Sequence, residues 1–142
     1  MTVEPMTIVS PDKRYESDGQ LIFSCQYHVI FCTKYRRKVL INNIDVRIKE
    51  LIEDIQQEYN YKVIDIEVMS DHVHLLLSVS PKTGIYTVIS KIKGHTSRIL
   101  RKEFPELVSK LPTLWTRSRF ISSVGVVSLD IVKKYIENQK SV

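Results

Sequence analysis

The chain has 142 residues, 43% of them apolar, a net charge of +5 and a pI of about 9.2. These values fit one domain with its own core and exclude a disordered chain. No apolar run is long enough to span a bilayer, and residues 1–20 lack the apolar stretch of a secretion signal, so a cytoplasmic protein with no membrane contact is expected.

Residues 1–20 are polar and carry no period, and read as a loose extension ahead of one domain over 21–142. Residues 21–33 are rich in aromatic and β-branched side chains and read as a first strand. Cys25 and Cys32 would fall on opposite faces of that strand, which disfavours both a disulfide and a shared metal site. A basic loop, Lys34-Tyr35-Arg36-Arg37-Lys38, follows. Asn42-Asn43 supplies a helix start, and Ile44, Ile48, Leu51, Ile52, Ile55 and Tyr59 recur at helical spacing up to Asn60.

Residues 62–69 alternate, with Ile64, Ile66 and Val68 set inward against Asp65 and Glu67, as a second strand. Ser70-Asp71 turns the chain into a third strand over 72–79. In that strand Val73, Leu75, Leu77 and Val79 form a dry face, and His72, His74, Leu76 and Ser78 form the other. A second helix over 85–103 buries Ile85, Val88, Ile89, Ile92 and Ile99, and carries Lys91, His95, Arg98 and Lys102 as a basic stripe. Gly94 within it costs about 1 kcal/mol of helix propensity and suggests close approach of a neighbouring backbone. Pro105 and Pro112 frame a loop, 114–123 is a fourth strand, Gly125 breaks it, and Ser128 caps a last helix over 129–140. The order βαββαβ is that of a ferredoxin-like (RRM-like) α+β fold, an antiparallel sheet with two helices on one face plus the C-terminal helix.

His72 and His74 point the same way from one strand, as two ligands of a divalent metal would. In the last helix Tyr135 and Gln139 are i and i+4, beside Leu129, Val132 and Ile136, which must pack on protein. If they pack on the histidine face, the Gln139 amide oxygen becomes a third ligand and Tyr135 a nucleophile beside the metal. A divalent ion on a phosphodiester oxygen offsets the negative charge that repels nucleophiles. A phenol, with a pKa of about 10, gives up its proton more readily than an alcohol. Attack would leave a phosphotyrosine and a free 3′-OH, and the ester could later be rejoined to DNA. His28 and His95 read as structural, and Trp115 as a packing residue.

On these residues the chain resembles the single-tyrosine HUH (His-hydrophobic-His) transposases of the insertion-sequence-200/605 family. The resemblance runs through Tyr27 to Lys38, Asp71 to Leu76, Lys93 to Arg98, Leu114 to Ser118, and Val124 to Gln139, in the family's order. It implies a dimeric enzyme that cleaves and rejoins single-stranded DNA at hairpin-marked ends, using Mg²⁺ or Mn²⁺. It implies that the Tyr135 helix acts in trans on the other copy's histidines. The family's usual hinge is a glycine pair, and here it is Gly125-Val126. Lys34, Arg36, Arg37, Lys91, Arg98, Arg117 and Arg119 are candidate phosphate contacts. Three other readings stay open: a relative that processes chromosomal palindromes, a non-catalytic nucleic-acid-binding module of the same fold, and an oligomeric regulatory domain that binds a small ligand. Base-stacking modules place aromatics on their central strands, and the third strand here offers none on its histidine face.

Overall fold

The computed structural model describes residues 7–8, 15–17, 19 and 21–124. Four strands form the main sheet: β4 (Gln26–Cys32), β5 (Tyr61–Val68), β6 (His72–Val79) and β7 (Phe120–Val124). They lie in the spatial order β5-β6-β4-β7, every neighbouring pair antiparallel. In chain order that is second, third, first, fourth, the ferredoxin-like arrangement expected from the sequence. Before them, β1 (Thr7–Ile8), β2 (Glu16–Ser17) and β3 (Ile22–Phe23) make a small antiparallel sheet. The helices are α1 (Ile44–Asp54), α2 (Gln56–Tyr59), α3 (Ile85–Glu103) and α4 (Glu106–Lys110).

Alternation sets which face is dry. Val29 and Phe31 of β4 and Val73, Leu75 and Leu77 of β6 are at most 1% exposed. They pack with Ile48, Leu51 and Ile52 of α1 and Val88, Ile89 and Ile92 of α3 in one core. At about 25 cal/mol per Å² of apolar surface removed from water, this layer is the main stabilising contact between sheet and helices. Arg47 of α1 also grips Glu103 of α3 through two hydrogen bonds, 2.8 and 3.0 Å long.

Several expected boundaries shift, each for a local reason. The first strand divides: Ile22–Phe23 pairs with β2, and β4 begins only at Gln26. The helix expected over 44–59 breaks at Ile55, whose φ and ψ of −104° and 12° leave the helical region. Asn43 precedes that helix as expected but is left-handed, with φ of 77°, and its side chain makes no cap hydrogen bond. In β5 the register slips between Val63 and Asp65, so Ile64 is 43% exposed rather than inward. The Gln56 side-chain oxygen accepts the Val63 N–H at 2.8 Å beside this bulge. The fourth strand starts at Phe120 rather than 114, because Trp115 instead makes an isolated bridge to Thr33. The loop between Pro105 and Pro112 contains α4. Outside its own turn of helix, no heavy atom of the described residues would lie within 4 Å of a Cβ at Gly94, so this glycine serves no close approach of a neighbouring backbone.

The polar N-terminal stretch also contributes structure. Glu16 is 4% exposed; its carboxylate accepts a 3.2 Å hydrogen bond from the Ser78 hydroxyl and lies 3.5 Å from Lys62 Nζ. Ser78 shares the sheet face of His72 and His74, so β2 covers the far end of that face. The expectations of a break at Gly125, a Ser128 cap and a helix over 129–140 fall outside the described residues.

Candidate functional site

β6 presents His72 and His74 on the sheet face opposite the helices, while Val73 between them is fully buried in the core. His72 keeps 30% of its side chain exposed, and its Nδ1 lies 2.8 Å from Asp71 Oδ1. A carboxylate only accepts, so Nδ1 donates its proton to Asp71, and in the neutral ring Nε2 is the nitrogen left to meet an electrophile. The other Asp71 oxygen takes a 3.2 Å ion pair from Arg36 Nη2. The hydrogen bond from His72 is the largest influence on the Asp71 carboxyl; burial opposes it, and with the Arg36 charge added the carboxyl is held below the usual carboxylate range.

Arg36 reaches Asp71 from a tight turn over Lys34–Arg36. Tyr35 and Arg36 are both left-handed there, with φ of 57° and 50°. Thr33 anchors the turn: its hydroxyl donates to the Arg37 carbonyl at 2.7 Å, and its N–H donates to the Asp71 carbonyl at 3.0 Å. Asp71 therefore joins the basic loop to the histidine strand through both backbone and side chain.

His74 has a partner that sequence reasoning left as structural. His28 Nδ1 on β4 lies 3.1 Å from His74 Nε2, with ring centroids 5.2 Å apart. Ile30 is the Cα partner of His74, so His28 sits two residues along the same open face. The signal for it was parity within β4, but that becomes useful only once the β4–β6 register is known.

The basic residues separate into three groups. Arg36 joins the histidine end through Asp71, and Arg37 beside it is exposed, whereas Lys34 stacks its ammonium 5.2 Å from the Tyr35 ring. Lys91 and Arg98 lie on the exposed side of α3, apart from the histidines. Within that expected stripe His95 departs from the pattern: its Nε2 is buried and has no hydrogen-bond partner among the described residues. Arg117 and Arg119 line a cleft against α3. Tyr135 and Gln139 lie outside the described residues.

Two imidazoles on a rigid strand, one of them oriented by a carboxylate, suit a divalent ion such as Mn²⁺ in donor type. Among the described residues, no cluster of three His, Cys, Asp or Glu side chains could hold a metal, so the two imidazoles do not by themselves make a complete site of those ligand types. Also among these residues, no helix is long and apolar enough to cross a membrane.

A family model described as "Transposase IS200 like" matches residues 21–139. The ISDra2 transposase TnpA of Deinococcus radiodurans is 37% identical over 120 residues, covering 83% of this chain and 86% of that protein. The transposase for insertion sequence element IS200 of Salmonella typhimurium is 27% identical over 119 residues, covering 82% of this chain and 78% of that one. Among solved structures, a candidate transposase from Deinococcus radiodurans superposes with a TM-score of 0.68 at 32% identity, over 84% of this chain and 94% of its own. A REP-associated tyrosine transposase bound to a REP hairpin shares the fold, with a TM-score of 0.55 at 11% identity over 80% of this chain and 61% of its own.

Proposed function

The chain belongs to the IS200-like transposase family, and from that premise we propose that it cleaves and rejoins single-stranded DNA at hairpin-marked element ends through a phosphotyrosine on Tyr135. The observation that carries this reading is the oriented His72: a free Nε2 beside His74, held by Asp71 on an open sheet face. His72, His74 and the Gln139 amide would hold a Mg²⁺ or Mn²⁺ ion. When bound, the ion supplies charge neutralisation at a non-bridging phosphate oxygen.

The chain's own groups do the rest. The Tyr135 oxygen attacks phosphorus, the bond from phosphorus to the 3′ oxygen breaks, and the phenolic proton is balanced by the one the 3′ oxygen gains. The energy of the phosphodiester stays in the tyrosine ester, so a 3′-OH can reverse the step on another strand. Lys34, Arg36, Arg37, Lys91, Arg98, Arg117 and Arg119 contact phosphates and make binding fall steeply with salt.

The test is incubation of the full chain with single-stranded oligonucleotides from the ends of its own element, plus Mg²⁺ or Mn²⁺. A covalent adduct that is lost in Tyr135→Phe, with DNA binding retained, supports the reading; cleavage by the Phe variant overturns it. Assembly in trans within a homodimer is tested by mixing Tyr135→Phe with His74→Ala. Recovery of activity in the mixture places Tyr135 of one copy on the histidines of the other, and continued inactivity argues for cis.

A further inference from the structure

Between α3 and the segment leading into β7 lies an open cleft of about 450 Å³. Lys93, Gly94 and Ser97 form its helix wall, and Thr116, Arg117 and Arg119 line the other side. Its helix wall belongs to α3, which packs on the dry face of the sheet, and the Thr116 N–H on its other side donates to the carbonyl of Cys32, the β4 register partner of His72. Arg119 is placed there by its guanidinium, 4.4 Å from the Tyr86 ring and 3.5 Å from the Ser90 hydroxyl of α3.

Lys93 differs from the solvated stripe of α3. Its side chain is half-buried, and Nζ donates a 2.6 Å hydrogen bond to the Thr116 carbonyl. An ammonium has three protons to donate, so two are left to point into the cleft. Among the described residues no carboxylate lies within ion-pair distance of Lys93, Arg117 or Arg119. Burial, and then the charge of Arg119, pull the Lys93 ammonium below the ordinary lysine range. Three cations thus converge on a partly desolvated cleft, and an anion there would relieve both their mutual repulsion and the burial of Lys93. The cleft volume falls in the range of small-molecule pockets.

We propose that this cleft is a second DNA site, which takes a backbone phosphodiester on Lys93, Arg117 and Arg119. The proposal rests on the reading of the protein as a DNA-acting enzyme, and adds a strand contact separate from the histidine pair. Gly94 provides a probe with little structural cost. A Cβ built on it meets no atom within 4 Å outside its own turn of helix, and Gly94 itself lines the cleft, so a carboxylate can be introduced there from a position with room for a side chain.

The experiment measures anisotropy of a labelled single strand and of a labelled hairpin oligonucleotide with the full chain across a salt series. Lys93→Gln, whose amide can keep a bond to the Thr116 carbonyl, is expected to weaken binding about tenfold and lower the salt slope by about one. Gly94→Glu is expected to weaken it at least as much. In both, Mn²⁺ affinity stays at the wild-type value; the unfolding midpoint of Lys93→Gln is unchanged, and that of Gly94→Glu does not fall, since glutamate favours the helix over glycine. Lys110→Gln, which removes an exposed charge from the end of α4, serves as the control and is expected to change little. The cleft assignment fails if folded Lys93→Gln and Gly94→Glu bind like wild type, or if Lys110→Gln loses as much as they do. Should the wild-type chain bind neither oligonucleotide, the DNA reading falls and the cleft assignment with it.

Discussion

Replacing Thr96 by Val tests what holds the far wall of the cleft in place. Thr96 is fully buried on α3 and Trp115 is 7% exposed. The Trp115 indole N–H donates to the Thr96 hydroxyl at 3.0 Å, and that hydroxyl donates to the Ile92 carbonyl at 2.7 Å. The Trp115 ring also meets Phe31 edge-on, 4.7 Å between centroids. Valine keeps the shape of threonine but leaves the indole N–H buried without an acceptor, at a cost of about 1–3 kcal/mol. With a urea slope of about 1–3 kcal/mol per molar, the unfolding midpoint should fall by roughly 1 M. Trp115 is the sole tryptophan, so its fluorescence in a urea titration reports the site directly. Thr96→Ser keeps the acceptor and should lose less than Thr96→Val. In a Trp115→Phe background, followed by circular dichroism, the Thr96→Val penalty should shrink, because no donor remains to be orphaned. Equal losses for Ser and Val, or a Val midpoint at the wild-type value, would refute the role given to this hydrogen bond.

Asp71→Ala removes the group that orients His72 and should lower Mn²⁺ affinity about 10–100-fold in a calorimetric titration with the fold retained; unchanged affinity sinks the orienting role. Gly94→Ala should stabilise the chain by about 0.5–1 kcal/mol in thermal or urea unfolding, since alanine favours the helix and its methyl meets open space. The Glu103 carboxyl is held low, first by its hydrogen bond with Arg47. Its stabilising contribution is therefore present above the unfolded carboxyl value of about 4.3 and disappears as the pH falls through the lower folded value. Unfolding midpoints measured down that acid range should fall less in Glu103→Gln than in wild type, and parallel curves would contradict this.

Much of this architecture can be read from side-chain spacing. β6 and α3 have the bounds their alternation and helical period imply, because each buries one face against a large layer. Where a tertiary contact overrides the local pattern, the reading slips. Ile64 breaks parity because β5 bulges, and Trp115 leaves the fourth strand because it bridges to Thr33. Two-residue strands such as β2 carry no period at all, and Glu16 is buried there through partners far along the chain. At the site, the common direction of His72 and His74 follows from strand geometry alone. That His28 reaches His74 depends on the β4–β6 register, and that Arg36 reaches Asp71 depends on a left-handed turn with no glycine to announce it.

That turn has a consequence for how the molecule loosens. Two successive side-chain-bearing residues in the left-handed region cost about 1–2 kcal/mol each. Tyr35 and Arg36 bear this cost on an exposed loop. Strain of this kind lowers the free energy of local opening relative to that of the strands. In native-state hydrogen exchange, the amides of residues 35–38 should therefore open well before those of β4 and β6. Each opening withdraws Arg36 from Asp71 while the sheet stays intact. The aim of the His72 imidazole thus has a shorter lifetime than the fold that carries it.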